Sequence, residues 1–169
     1  MRAFIGISVP EVAHYDRLCS DLKNRYGNNV KIVENHNLHI TLKFLGDMPL
    51  DRCEEIWHSL VLPDNSFHIS GKGIGHFPVD NERARVIFIP VSSPGLDMIM
   101  ENNDLFNENM QHIHCTLARF RRPSNIVDME KMYSSEKFFD FLPNKLSLFK
   151  STILSTGPVY EEIFSHQLM

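Results

Sequence analysis

Two short stretches carry the residues best suited to chemistry. "HITLKFLG" at 39–46 and "HCTLARF" at 114–120 each open with His, any residue, Thr, Leu. Side chains alternate across a strand, so His39 and Thr41 share one face while Ile40 and Leu42 take the other. His114 and Thr116 stand in the same relation to Cys115 and Leu117. Each stretch thus sets an imidazole beside a hydroxyl, with apolar residues beneath. A single His-x-Thr on a strand is usually a satisfied, half-buried pair. Two copies, each opening an apolar strand, read as the halves of one site.

If the two strands are neighbours in a sheet, two His and two Thr converge on one cleft. That set suits in-line displacement at phosphorus. A neutral imidazole takes a proton from the attacking oxygen, and a protonated one gives a proton to the leaving oxygen. Histidine is the side chain whose ordinary pKa lets both forms coexist near neutrality. Each transfer contributes about 10²–10⁴ in rate. The Thr hydroxyls can donate to nonbridging phosphate oxygens. This chemistry needs no metal, cofactor or covalent nucleophile, and by itself it leaves the two histidine roles interchangeable.

The elements that must position these residues follow from hydrophobic periodicity. Strands are predicted at 2–9, 30–33, 38–45, 66–74, 84–91 and 113–120, and as a closing pair, "KLSLFKSTIL" and "VYEEIFSHQL", around Thr156-Gly157-Pro158. Helices are predicted over 11–26, 49–62, about a dozen residues from Pro94, and 125–134. Strand, helix and motif strand therefore occur twice, and no linker or low-complexity segment separates the halves. The expectation is a single domain over 1–169 built from two interleaved lobes with one motif each.

Bulk properties narrow the function classes. With 43% hydrophobic residues in 169, the chain has apolar content for its own core. A net charge of −4 argues against nonspecific coating of nucleic acid, so an RNA substrate would have to be gripped locally. Cys19, Cys53 and Cys115 are odd in number and lack CxxC spacing, which reads as reduced thiols. The apolar start "MRAFIGISVP" is too short for a signal-peptide core, and no run approaches the roughly 18 residues of a membrane span. A cytoplasmic protein is the expectation.

Other residues have a functional and a plain reading. Lys43 continues the His39–Thr41 face by parity and could hold phosphate, or be an exposed strand lysine. Arg121 and Arg122 form a local grip on RNA or a solvated strand end. Phe44, Phe77 and Phe120 could stack on a base, although core phenylalanines are commoner. Cys115 faces away from the His–Thr side and reads as core. His112 and His114, with His39 or His36, have a spacing that can chelate a metal. A His-ligated, metal-dependent phosphoesterase is thus one alternative, and a noncatalytic RNA- or nucleotide-binding module is another.

The paired motifs resemble those of the 2H phosphoesterases, and within them the RNA 2′,3′-cyclic phosphodiesterases, also called 2′-5′ RNA ligases. The resemblance extends to "MRAFIGISVP", to "HFP" followed by "ARVIF", and to "STILSTGPVY". It implies an α+β fold of two lobes with pseudo-twofold symmetry, duplicated antiparallel sheets, helices outside and a central cleft. It implies opening of RNA 2′,3′-cyclic phosphate ends to a 2′-phosphate, together with ATP-independent 2′-5′ joining. His39 would be the proton donor and His114 the proton acceptor, with Thr41 and Thr116 beside them. Arg119 resembles the family's arginine in this motif, yet strict parity places it opposite His114 unless the strand bulges. The implied partner is RNA with 2′,3′-cyclic phosphate ends, tRNA fragments among the candidates, acted on by a monomer without cofactor or membrane. Ile113 replaces the Pro common before the second His, and the segment ahead of that motif is shorter than usual; both bear on the shape of the cleft.

Overall fold

The computed structural model describes residues 1–109 and 113–169 of the protein. Among these, ten strands and four helices follow one another as β1 (Arg2–Ser8), α1 (Tyr15–Tyr26), β2 (Val30–Ile32), β3 (His39–Asp47), α2 (Leu50–His58), β4 (Ile69–Lys72), β5 (Gly75–Phe77), β6 (Arg83–Ser92), α3 (Pro94–Glu101), β7 (His114–Asn125), α4 (Val127–Met132), β8 (Lys137–Phe141), β9 (Lys145–Leu154) and β10 (Gly157–Gln167).

The strands form one antiparallel path in the order β10-β9-β1-β3-β7-β6-β4-β8, with β2 also on β7 and β5 also on β6. Of the eight strands on that path, β10, β9, β1 and β3 come from the two ends of the chain and β7, β6, β4 and β8 from the stretch between, while β2, from between β1 and β3, crosses over to pair with β7. The halves are therefore interleaved in sequence, and the expected duplicated α+β architecture is observed. A single bridging pair, Ile40 opposite Cys115, joins β3 to β7 and hence one half to the other. Both residues are fully buried. The His–Thr faces flanking this bridge consequently lie on the opposite side of the sheet from the core.

Helices cover the apolar face. Leu18 and Leu22 of α1, Cys53 and Trp57 of α2, Leu96 and Ile99 of α3 and Met129 of α4 are all buried. Ser93 caps α3 by accepting from the Leu96 amide, and Pro94 occupies the first turn, where its missing N–H costs nothing. All four helices are shorter than their periodicity predicts, and in two the reason is visible. The stretch 11–13 stays outside α1 because the Ala13 amide donates to the Phe138 carbonyl. After α2, the Asn103 amide takes both the N–H and the carbonyl of Val61, replacing helical bonds with a side-chain clamp. Strands β5 and β8 were not predicted. No helix among the described residues is long and apolar enough to cross a membrane.

Candidate active site

The two motif strands are held by the same backbone device. Along β1 and β3, Ser8 faces His39, Ile7 faces Ile40 and Gly6 faces Thr41; the next pair is Ile5 with Lys43, so Leu42 is an extra residue. Along β6 and β7, Pro90 faces His114, Ile89 faces Cys115 and Phe88 faces Thr116; the next pair is Ile87 with Ala118, so Leu117 is extra. Each motif leucine is thus a β-bulge, and a bulge resets the alternation beyond it.

The consequence is a correction to strict parity. Lys43 falls opposite Ile5, a core residue, and so leaves the His39–Thr41 face on which alternation put it. Phe44 takes that face instead: its ring lies 6.1 Å from the Phe4 ring, which lies 4.8 Å from His39. In the second motif, Leu117 and Ala118 are both buried and Arg119 returns to the His114 face. The positive charge of Arg119 contributes to lowering the pKa of His39 and opposes the burial that raises that of Tyr160.

With Ile40 opposite Cys115 in antiparallel pairing, His39 stands beside Thr116 and Thr41 beside His114. Continued antiparallel register sets the histidines on a diagonal, an arrangement in which Cα atoms of a regular ladder are about 7–8 Å apart. That separation leaves room for one phosphoryl group between two imidazoles. The residues with predicted catalytic roles, His39, Thr41, His114 and Thr116, are all partly exposed and gather here.

The His39 ring is fixed by its surroundings. Its Nδ1 lies 2.8 Å from the Asn37 carbonyl, which can only accept, so Nδ1 carries a hydrogen and Nε2 is the nitrogen left for chemistry. Burial holds its pKa below the ordinary histidine value; the Asn37 carbonyl opposes this, and the charges of His114 and Arg119 add to the lowering. Tyr160 approaches the ring edge-on at 5.0 Å. Asn37 itself donates to the Pro158 carbonyl, tying the loop before β3 to β10, which carries Tyr160. A cavity of about 210 Å³ opens beside His39, bounded by Phe4, Asn37, Phe149, Pro158 and Tyr160. His114 has its own aromatic walls, Phe77 at 4.9 Å and Phe88 at 5.0 Å.

Several candidates fall elsewhere. Phe120 is buried against Tyr26. Cys115 is buried, and burial pushes its thiol up to about 12, so it is no nucleophile at neutral pH. Arg121 and Arg122 are exposed, and the Arg122 backbone is clamped by the Asn29 side chain. His36, by contrast, stays near the site: it is exposed beside Glu34 and lines the cavity that opens beside His39. His112 lies outside the described residues. Among the described residues no three His, Cys, Asp or Glu side chains converge as a metal site. The sequence reading missed Phe4, Asn37, Phe88 and Tyr160. No spacing links residue 160 to residue 39; the only signal was the "STILSTGPVY" stretch, which carried resemblance without a role.

Comparison with known proteins completes this picture. Residues 5–88 match the family model described as LigT like Phosphoesterase. A Methanocaldococcus jannaschii protein named RNA 2′,3′-cyclic phosphodiesterase is 31% identical over 96% of this chain and 98% of its own length. The chain belongs to the LigT-like phosphoesterase family. An Archaeoglobus fulgidus protein of the same name is 29% identical, with 96% of this chain and 98% of its own covered. Among solved structures, a Thermus thermophilus protein superposes with a TM-score of 0.70 at 22% identity, covering 99% of this chain and 98% of that one. Escherichia coli LigT complexed with 3′-AMP gives 0.67 at 18% identity, covering 99% and 96%. At these identities the superpositions establish the shared LigT fold. As a LigT-like phosphoesterase the chain is a hydrolytic enzyme, and its paired motif strands are the part of that fold that meets at the Ile40–Cys115 bridge.

Proposed function

We propose that this LigT-like phosphoesterase opens 2′,3′-cyclic phosphate ends of RNA to 2′-phosphates by metal-free acid–base catalysis. The observation that carries the reading is the Ile40–Cys115 bridge, whose antiparallel register sets His39 and His114 on a diagonal with each motif's threonine beside the other's histidine. The relatives named RNA 2′,3′-cyclic phosphodiesterase, which align over almost the whole chain, supply the substrate class.

His114 accepts a proton from water as the water oxygen bonds to phosphorus. The bond from phosphorus to O3′ breaks, and His39 delivers its Nε2 proton to that departing oxygen. The products are a 3′-hydroxyl and a 2′-phosphate. Thr41 and Thr116 donate to the nonbridging oxygens, where charge grows in the transition state. Arg119 adds a fixed positive charge. Because the ring of His39 is held below its ordinary pKa in the free protein, its proton is best retained once the anionic phosphate is bound. The two lobes act as one unit, since each supplies half of every pair. Attack by a 5′-hydroxyl at the same phosphorus would give 2′-5′ joining with the same groups.

Arg119, Arg121 and Arg122 form the local grip that bulk charge does not supply, and Lys31 joins them. Lys31, on β2, lies directly opposite Arg119 on β7. Like charges opposite each other in a sheet are destabilising, and an RNA phosphate between them relieves that cost. Incubating the protein with RNA bearing a 2′,3′-cyclic end tests the reading. The expected product is a 2′-phosphate, formed at an unchanged rate in EDTA. A 3′-phosphate product, or loss in EDTA restored by zinc, would reject it; stoichiometric binding without turnover would select the binding module.

A further inference from the structure

His76, on β5, takes no part in the chemistry above, yet both its ring nitrogens are engaged. Nδ1 lies 2.9 Å from the Glu130 carboxylate on α4, and Nε2 lies 2.8 Å from the Asn81 carbonyl. Both partners can only accept. A neutral imidazole has one N–H and can satisfy one of them; the imidazolium has two and satisfies both. The next residue, Phe77, stacks on Phe88 at 4.4 Å and meets His114 edge-on at 4.9 Å. Asn81 in turn accepts from the Arg83 amide through its side chain, closing the turn between β5 and β6. The clamp therefore ties that turn and β5 to α4, and with them the aromatic wall of one histidine of the site.

We propose that His76, in its doubly protonated form, is a positioning residue that holds Phe77 against His114. Deprotonation releases either Glu130 or the Asn81 carbonyl and loosens that wall. The charged and titratable groups on the elements that carry the clamp are Asp128, Glu130 and Lys131 on α4, Asp80 and Glu82 on the turn, and Arg83 and Arg85 on β6. At the end of α1 stand Arg25 and Tyr26, whose phenol is pushed up by burial and feels Arg25, Asp128 and Glu130.

The decisive variant is Glu130→Gln. A Gln amide can donate to an unprotonated Nδ1 while Nε2–H still serves Asn81, so this variant keeps the clamp without the second proton. The measurement is kcat for a 2′,3′-cyclic nucleotide, taken as the ratio of variant to wild type across pH, so that the titrations of His39 and His114 cancel. His76→Phe is expected to be about tenfold slower than wild type at pH 5.5 and within twofold at pH 9. Glu130→Gln is expected to match wild type at pH 5.5 and exceed it severalfold at pH 9. Ratios that do not change with pH would overturn the proposal, as would Glu130→Gln declining in step with wild type. The kinetic arm rests on the proposed function. A second arm does not: the proton shift of the His114 ring, which senses the edge of Phe77, should change with pH in wild type beyond its own titration. It should lose that extra change in His76→Phe, and an unaltered shift would reject the clamp even in a protein that hydrolyses nothing.

Discussion

The two halves of the cleft use one backbone plan and different walls. In each, a His-x-Thr-Leu strand pairs antiparallel with its neighbour and bulges at the leucine. Opposite the first motif threonine, however, stands Gly6; opposite the second stands Phe88. A Cβ at Gly6 would come within 2.5 Å of the Ile40 carbonyl, a backbone atom that cannot swing away. The glycine thus lets β1 close on β3 beside the bridge, and the aromatic wall of His39 comes from other positions, Phe4 two residues along β1 and Tyr160 on β10. In the other half Phe88 fills the equivalent position and leans on His114 directly. The bulge sets where the reactive groups point, and the wall residues differentiate two otherwise equivalent imidazoles.

The most severe way to break the equivalence is to remove one imidazole at a time. His39→Ala and His114→Ala should each lower kcat for a 2′,3′-cyclic nucleotide by about 10²–10⁴-fold, with unchanged circular dichroism. If the halves differ in role, a substrate with a 4-nitrophenolate leaving group, which needs no proton to depart, separates them. His39→Ala should recover most of its loss on bis(4-nitrophenyl) phosphate while His114→Ala does not. The reverse pattern would exchange donor and acceptor, and full activity of either variant on the cyclic nucleotide would end the two-histidine mechanism.

A smaller effect tests the bulges. Strict alternation would make Lys43 a phosphate ligand and send Arg119 away, whereas the observed register does the opposite. Arg119→Ala should raise KM for a cyclic-ended oligonucleotide about tenfold and flatten its dependence on salt. Lys43→Ala should stay within twofold. Equal losses in steady-state kinetics would mean that the lysine reaches around the strand to the same anion.

Those bulges mark the limit of what the sequence makes legible. A period of two is readable wherever one face is buried, so both motif strands and the pairs His39–Thr41 and His114–Thr116 could be placed from residue types alone. An extra residue leaves no mark in that pattern, because Leu42–Lys43 and Leu117–Ala118 look like ordinary strand interior. Short strands vanish for a related reason. In β5, Gly75–Phe77 is too brief to show a period, and in β8 Phe138 and Phe139 are both buried, which erases alternation. The wall of His39 is assembled from strands more than a hundred residues apart in the chain, Phe4 on β1 and Tyr160 on β10. Nothing local in either segment records the other.

The smallest expected effect concerns the charge on His39 itself. Its pKa is lowered chiefly by burial, with the Asn37 carbonyl working against this and His114 and then Arg119 contributing further lowering. A lowered value means that His39 is already neutral at a pH where an exposed histidine still holds its second proton. Followed by the ring-proton resonance of the free protein, His39 should therefore titrate below 6.5, the ordinary histidine value. A donor must be protonated, so kcat/KM should fall as pH rises through that same lowered value. Arg119→Gln removes one repelling charge and should move the midpoint up, toward the ordinary value but not to it, since the burial remains. His114→Gln should move it at least as far. A midpoint that jumped fully to the exposed value in Arg119→Gln would show that charge, and not the wall of Phe4 and Tyr160, sets apart this half of the cleft.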